Sequence, residues 1–410
     1  MPARTSGATA FRPPTAVVDE AWLAADFVQS RSAEVAGDER AAFDELAGAA
    51  GARLILFGAG NLGRRTLAGL RKEGLEPQAF ADNAPSLAGR RLDGLDVLSP
   101  DEAVSRYPEA LFIVTIWTPV GRLAYPDVAA RLSRAGGSRP VSFVPLYWKY
   151  AERFLPYHCL ALPHLLFERA DLVKEAYARL ADAQSRHEFR VQLSYLLSDM
   201  TAVGVAQPRD DDWYFPRDLV RLRDDEVFVD CGAYDGDSLL WFVTATAGRF
   251  AAAYAFEPDP GAAERLAAAV ATLPHDVRER VVVERKAVAA TSGVLRFAGG
   301  GTPGSHVADD GGSEVTAVSL DDALGDPAPT FIKMDVEGAE ADALAGARAL
   351  IERVRPILAI CVYHLQDDLE RIVNALGTMC PDYELYLRRL EGDLVCFAIP
   401  EERSLDGGGA

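Results

Sequence analysis

The sequence predicts an α/β protein with two Rossmann-like domains, a larger one at the C-terminus and a smaller one before it, joined by a helical connector. Three observations predict this. A short apolar run, Arg53-Leu54-Ile55-Leu56-Phe57, ends in Gly58-Ala59-Gly60-Asn61-Leu62-Gly63 and opens a helical pattern. A second unit of the same kind runs from Glu226-Val227-Phe228-Val229-Asp230 into Cys231-Gly232-Ala233-Tyr234-Asp235-Gly236. After each, short apolar runs alternate with helical patterns, as in a parallel sheet built from crossover connections.

With 410 residues the chain has material for two or three domains. Apolar residues make up 49% and charged residues 25%, the balance of a soluble globular protein. A net charge of −19 repels phosphate backbones and anionic lipid, so neither nucleic acid nor a membrane surface is an expected partner. Five cysteines, with no CxxC pair, argue against a metal cage or a disulfide framework and for a reducing compartment. No leader pattern and no apolar stretch of spanning length is read, so a cytoplasmic protein is expected.

In chain order, residues 1–50 read as a disordered arm followed by amphipathic helices from about Val17. Residues 51–147 read as a small Rossmann-like nucleotide-fold domain, with strands at Arg53–Phe57, Pro77–Asp82 and Leu111–Ile116. Residues 148–212 read as a helical connector and cap. Residues 213–400 hold the main domain, with strands near Glu226–Asp230, Ala253–Phe256, Val281–Val283, Val294–Phe297, Thr330–Met334, Ile357–Val362, Tyr383–Leu387 and Leu394–Ala398. Helical patterns cover Gly261–Leu273 and Ala339–Val354, and residues 401–410 read as a frayed tail.

The second glycine turn carries the most chemistry. Glycines let the backbone bend tightly and approach a ligand, and the following helix aims its free N–H groups there. Ligands of open parallel sheets lie at the C-terminal strand edges. Glu257 ends the next strand, placed to accept hydrogen bonds from ribose hydroxyls, and Lys286-Ala287 ends the one after, beside the position of an adenine ring. The turn has no basic residue but contains Asp235 and Asp237, which would repel a pyrophosphate. Such a site suits a phosphate-free ligand with a positive centre, a description that S-adenosylmethionine meets.

These segments resemble the FkbM-type methyltransferases. The resemblance rests on Val227 to Ser238, on Ala255-Phe256-Glu257-Pro258-Asp259, and on Val318-Ser319-Leu320-Asp321-Asp322 followed by Phe331-Ile332-Lys333-Met334-Asp335-Val336-Glu337-Gly338-Ala339-Glu340. Pro356–Ile360 followed by Cys361-Val362-Tyr363-His364, and the lead-in Trp213-Tyr214-Phe215-Pro216, are also similar; the whole covers about 190 residues. The resemblance implies a seven-stranded Rossmann-like methyltransferase sheet with a reversed last strand, S-adenosylmethionine as cofactor, and O-methylation of a sugar, nucleotide-sugar or natural-product hydroxyl. Cofactor contacts then fall on Asp230, Gly232, Ala233, Tyr234, Gly236, Ser238, Glu257, Pro258, Lys286, Ala287 and Asp335. Many relatives carry an acid where Cys361 stands, which separates this chain from them.

Methyl transfer needs an oxygen held behind the methyl carbon and a base for its proton. His364, with an ordinary pKa, is one candidate base and Asp335 is the other or orients it. Asp335, Glu337, Glu340 and His364 are alternatively the candidate ligands of a divalent metal, although Glu337 and Glu340 also suit a helix start. The glycine-rich segment Gly299–His306, with Gly311-Gly312, reads as a substrate lid or a plain surface loop.

Gly58, Gly60 and Gly63, with Asp82 at the end of the next strand, form the dinucleotide fingerprint in its expected context. This domain resembles the small Rossmann-like domains of sugar-modifying enzymes. Three uses stay open: a nucleotide or nucleotide-sugar, NAD(P), or a structural or oligomer-forming role. Arg64 and Arg65 are placed either to meet phosphate or to face solvent. The expected partner is a small hydroxyl acceptor, with a nucleotide carrier and a homo-oligomer both open. The rival readings are an NAD(P)-dependent oxidoreductase and a non-catalytic nucleotide-binding scaffold.

Overall fold

The computed structural model describes residues 17–48, 53–117, 124–134, 140–198, 213–298, 306–307, 313–325, 328–390 and 393–405. The expected arm at 1–16, the last tail residues from 406, and the glycine-rich segment other than His306 and Val307 lie outside them. Contacts divide the chain into one unit of Met1–Asp171 with Arg190–Gln207, and another of Leu172–Phe189 with Pro208–Ala410. The 148–212 stretch read as a connector is thus shared between the two. Among the described residues no helix is long and apolar enough to cross a membrane.

The first unit holds six strands: β1 (Leu54–Phe57), β2 (Ala79–Ala81), β3 (Arg91–Leu92), β4 (Leu95–Leu98), β5 (Leu111–Val114) and β6 (Val141–Ser142), in the order β3-β4-β2-β1-β5-β6. All pairs are parallel except the β3–β4 hairpin. That hairpin turns on Asp93-Gly94, both at positive φ, the residue pair a two-residue turn between strands favours. Every residue of β1 is buried, because helices cover both faces of a parallel sheet. Alternation sends Leu54 and Leu56 into one apolar cluster and Ile55 and Phe57 into another. The helix Ser32–Ala47 buries Val35, Glu39, Phe43 and Ala47, a stripe at four-residue spacing. Its one charged member, Glu39, is satisfied by the His164 backbone N–H at 3.0 Å.

The glycines of the first turn are packing devices. A Cβ on Gly63 would lie 1.9 Å from the Gly58 carbonyl oxygen, so the helix Asn61–Lys72 can approach β1 only with glycine there. Gly60 faces open space.

The second unit is built on a seven-stranded sheet of β7 (Val227–Cys231), β8 (Ala252–Phe256), β9 (Val281–Glu284), β14 (Phe331–Met334), β15 (Ile357–Cys361), β16 (Tyr383–Leu390) and β17 (Asp393–Pro400). Their order is β16-β17-β15-β14-β7-β8-β9, with β17 antiparallel to both neighbours. This is the expected sheet with its reversed last strand. The strand order switches direction between β7 and β14, where open sheets place their ligands. A separate small sheet of β10 (Ala287–Val288), β11 (Gly293–Ala298), β12 (His306–Val307) and β13 (Ser313–Val318) takes the Val294–Phe297 strand out of the main sheet. The helical pattern read at Ala339–Val354 is two helices, Glu340–Ala345 and Arg348–Val354. The break falls at Gly346, where a Cβ would come within 2.1 Å of the Ala289 carbonyl oxygen. The polar stretch from Asp182 is fastened to β16: Arg388 donates to Asp182 at 2.7 Å and Arg389 to Glu188 at 3.0 Å.

Two glycine substitutions separate packing from mere turn preference. Gly63→Ala should lower stability by roughly 1–3 kcal/mol in chemical denaturation, the usual cost of overpacking. Gly60→Ala should cost well under half of that. Equal losses would show that close approach is not what Gly63 provides.

Candidate functional site

The site forms where β7 and β14 end. β7 is buried throughout and delivers Asp230 to the turn. Gly232 follows at φ +82°, and a Cβ there would lie 1.9 Å from the Asp335 carbonyl oxygen. Gly236, at φ +95°, precedes the helix Asp237–Ala245. Glu257 locks this turn. Its carboxylate accepts from the Tyr234 N–H at 2.8 Å and from the Asp259 N–H at 2.7 Å. Asp259 in turn caps the helix Pro260–Ala271 by accepting from the Ala262 N–H at 2.9 Å.

Asp230 points away from the turn's open side. It is fully buried and accepts from the Ser238 hydroxyl at 2.6 Å and from Lys333 Nζ at 2.9 Å. Lys333 also donates to the Gly232 carbonyl at 2.9 Å and lies 3.9 Å from Asp335. The sequence reading found no basic group in the glycine turn; the structure supplies one from β14. The signal was a lysine inside the apolar run Phe331-Ile332-Lys333-Met334, where a charge needs a buried partner.

A cavity of about 360 Å³ opens beside these groups. Its lining follows the strand ends: Gly232 and Tyr234 after β7, Glu257 and Pro258 after β8, Lys286 to Val288 after β9, Asp335 after β14, Tyr363 after β15, and Asp393 at the start of β17. Because β17 runs backwards, its first residue reaches the edge at which the parallel strands finish. Of the expected cofactor residues, Gly232, Tyr234, Glu257, Pro258, Lys286, Ala287 and Asp335 line this cavity; Asp230, Ala233, Gly236 and Ser238 stand behind it and shape the turn. Trp213, Tyr214, Lys333, Glu337 and Asp393 are also in the wall and lie outside the cofactor set expected from sequence.

The lining holds six carboxyl groups, on Asp237, Glu257, Asp259, Asp335, Glu337 and Asp393, against two lysines. Both lysines are already paired, Lys286 with Glu284 at 2.8 Å and Lys333 with Asp230. Burial first, and the Asp259 charge with it, push the Glu257 carboxyl up to about 7. Burial and then the Asp335 charge push Asp393 up to about 7 as well. Burial acts on Asp335 in the same sense but is overcome by the Lys333 and His364 charges, which hold it below the ordinary range.

His364 is 6% exposed and does not line the cavity. Its Nδ1 lies 2.8 Å from Glu340, and its Nε2 lies 3.3 Å from Asp335 and 3.7 Å from Glu337. Burial opposes its charge, but these carboxylates outweigh it and raise the imidazole to about 10. The expectation of a histidine with an ordinary pKa, ready to accept a proton at neutral pH, is thereby corrected: His364 already carries one. Glu340 spends its carboxylate on the Val336 N–H at 2.8 Å and the Gly338 N–H at 3.0 Å, fixing a turn in which Glu337 stands at φ +55°. Donor atoms of Asp335, Glu340 and His364 lie within 4.8 Å of one another. With Glu340 bonded to backbone and an imidazolium between the carboxylates, the set fits an ion-paired histidine better than a cation site.

The first glycine turn shows a similar clamp. Asp82 accepts from the Ala59 N–H and the Ala84 N–H, each at 2.8 Å. Arg64 pairs with Asp93 at 2.6 Å, and Arg65 donates to the Phe154 carbonyl at 3.2 Å. An acid that ties its own turn therefore marks the fold in both units; the carboxylate-rich cavity sets the second turn apart.

Folding raises the His364 pKa from 6.5 to about 10, so the stability it contributes is complete below pH 6.5 and lost as pH rises toward 10. His364→Gln should destabilise by roughly 3–5 kcal/mol at pH 6, as breaking a buried ion pair does. It should also flatten the fall in melting temperature between pH 6.5 and 10. An unchanged slope in the variant would contradict the imidazolium assignment.

Comparison with known proteins agrees with this geometry. Residues 230–390 match the family model described as the methyltransferase FkbM domain. The crystal structure of methyltransferase FkbM from Methylobacillus flagellatus KT superposes with a TM-score of 0.73 at 23% identity, covering 93% of this chain and 100% of that one. A weaker likeness, with a TM-score of 0.29 at 12% identity over 44% of this chain and 90% of the other, is to a Streptococcus mutans protein described as a methyltransferase in complex with SAH. Another, with a TM-score of 0.29 at 12% identity over 44% of this chain and 74% of the other, is to the fibrillarin/Nop5p complex. No curated protein shows a significant match. Sheet order and family model together mark residues 230–390 as a methyltransferase FkbM domain.

Proposed function

We propose that the protein transfers a methyl group from S-adenosylmethionine to a hydroxyl of a small acceptor, either a sugar, a nucleotide-sugar or a natural product. The carrying observation is the cavity at the β7–β14 edge, whose carboxylates outnumber its lysines and whose lysines are already paired. Such a pocket disfavours phosphate and favours an adenosyl ligand with a positive centre. Glu257 keeps a lone pair on each oxygen for ribose hydroxyls after clamping the turn. Trp213, Tyr214 and Tyr363 offer flat apolar faces beside Asp335, Glu337 and Asp393, a combination that suits a hydroxylated ring.

In the transfer, the acceptor oxygen attacks the methyl carbon in line, the sulfur–carbon bond breaks with its electron pair going to sulfur, and the hydroxyl proton leaves. Asp393, with a pKa near neutrality and an open face on the cavity, is the group suited to take that proton in place of His364. Asp335 acts as a positioning residue: it accepts from Tyr214 at 2.9 Å and Tyr363 at 3.4 Å and faces the His364 charge. No step needs a metal. A net charge of −19 supports small molecules over nucleic acid or membrane as partners. The first unit's glycine turn is compatible with a nucleotide carrier for the acceptor, and no specific observation favours hydride transfer there.

Calorimetry with S-adenosylhomocysteine, NADH and a nucleotide-sugar in turn tests the reading. S-adenosylhomocysteine should bind, and Glu257→Ala should weaken it by about tenfold or more, the size of one or two lost hydrogen bonds to a charged group. Binding of NADH alone would overturn the proposal. Because protonation of Glu257 competes with its hydrogen-bond acceptance, affinity for S-adenosylhomocysteine should fall as pH drops through about 7. Glu257→Gln should lose that dependence.

A further inference from the structure

The seven-stranded sheet ends in two unlike edges. On one side β16 is covered by its own chain: the Ala181 N–H donates to the Leu385 carbonyl at 2.9 Å, and the Leu387 N–H donates to the Ser185 hydroxyl at 2.9 Å. On the other side β9 pairs only with β8 among the described residues. The remaining sheet edges among those residues are two-residue strands: β3 and β6 in the first unit, β10 and β12 in the small sheet. Shortness, cover, lysine and proline are the usual protections of an edge. β9 has none of them. It presents Val281-Val282-Val283, with Val282 39% exposed. The carbonyls of Arg280 and Glu284 accept from the Ala253 and Glu257 N–H groups at 2.8 and 3.0 Å. Alternate residues of β9 therefore face β8, and the N–H and C=O groups of Val281 and Val283 turn outward.

We propose that β9 is a dimer interface, pairing antiparallel with β9 of a second copy of this chain about a twofold axis through Val282. The register is self-complementary. Val281 meets Val283 of the second copy as a hydrogen-bonded pair, which uses the outward backbone groups on both strands. Val282 meets its own counterpart, and Arg280 stands opposite Glu284. A slip of one residue faces outward groups with inward ones. A slip of two sets Val282 against Arg280 or Glu284. The Gly248 and Phe250 carbonyls accept from the Arg280 guanidinium without neutralising it, and Asp276 approaches it only to 3.9 Å. Glu284 is shared with Lys286 at 2.8 Å. The whole-chain charge of −19 opposes self-association, but residues 278–286 carry four cationic side chains against two anionic ones, so repulsion is weakest at this edge. Nucleic acid or another protein would have no reason to match a register that is symmetric about one residue; a second copy matches it by construction.

The test is sedimentation equilibrium on the full chain over a concentration series, with two variants at the axis. The wild type should approach twice the chain mass. Val282→Lys places two ammonium groups directly across the axis and should weaken the dimer about tenfold or more, since like charges opposite each other destabilise a strand pair. A wild-type far-ultraviolet circular dichroism spectrum shows that this variant is folded. Val282→Cys should form a covalent dimer under mild oxidation, because side chains facing each other in such a pair lie close to disulfide reach. The five native cysteines are buried and do not compete. Leu172→Cys, at a residue 50% exposed elsewhere, should stay a monomer on the denaturing gel. A single-chain mass at every concentration would overturn the proposal. So would a dimer that Val282→Lys leaves intact and that Val282→Cys links no faster than Leu172→Cys.

Discussion

A single buried ammonium ties the catalytic unit together. Lys333, 2% exposed on the side chain, stands in β14 and donates to Asp230 of β7 and to the Gly232 carbonyl of the turn. Taking this charge out of water is costly, and only partners in good geometry offset it. That constraint fixes the two strands at the switch point of the sheet relative to each other and holds the glycine turn in its open shape. It also sets the electrostatics above: Lys333 neutralises Asp230 behind the turn and helps keep Asp335 ionised in front of it.

The same economy of polar groups recurs around it. Glu257, Glu340 and Asp259 each satisfy backbone N–H groups that the tight turns leave without helix or strand partners. His364 is the counter-charge to Asp335, Glu337 and Glu340, so the edge carries two buried cations under a rim of acids. An edge of this kind has little use for a pyrophosphate and a clear use for a cationic adenosyl ligand. The S-adenosylmethionine reading draws on this one field.

Much of this was legible in the chain because it is local. The glycine turns and the acids at strand ends follow from short motifs in order, and the reversed last strand from the family resemblance those motifs carry. What stayed hidden depends on partners far apart in sequence. Asp230 reads as a ligand-facing acid until Lys333, 103 residues on, is seen to occupy it. His364 reads as an ordinary base until Asp335, just after β14, and Glu340, at the start of the following helix, are seen to hold its proton. Asp393 carries no assignment from sequence, because nothing there shows that β17 starts at the ligand edge. The helix break at Gly346 depends on the Ala289 carbonyl from a separate sheet. The Asp93-Gly94 hairpin, by contrast, carries a local signal, the residue pair that a two-residue turn favours.

The most direct test is a crystal structure of the complex with S-adenosylhomocysteine. The account predicts the ribose hydroxyls on Glu257, the adenine against Lys286 to Val288, and the sulfur over Gly232 facing Asp335. Density for the ligand at the Gly58 turn, or a ribose remote from Glu257, would contradict it.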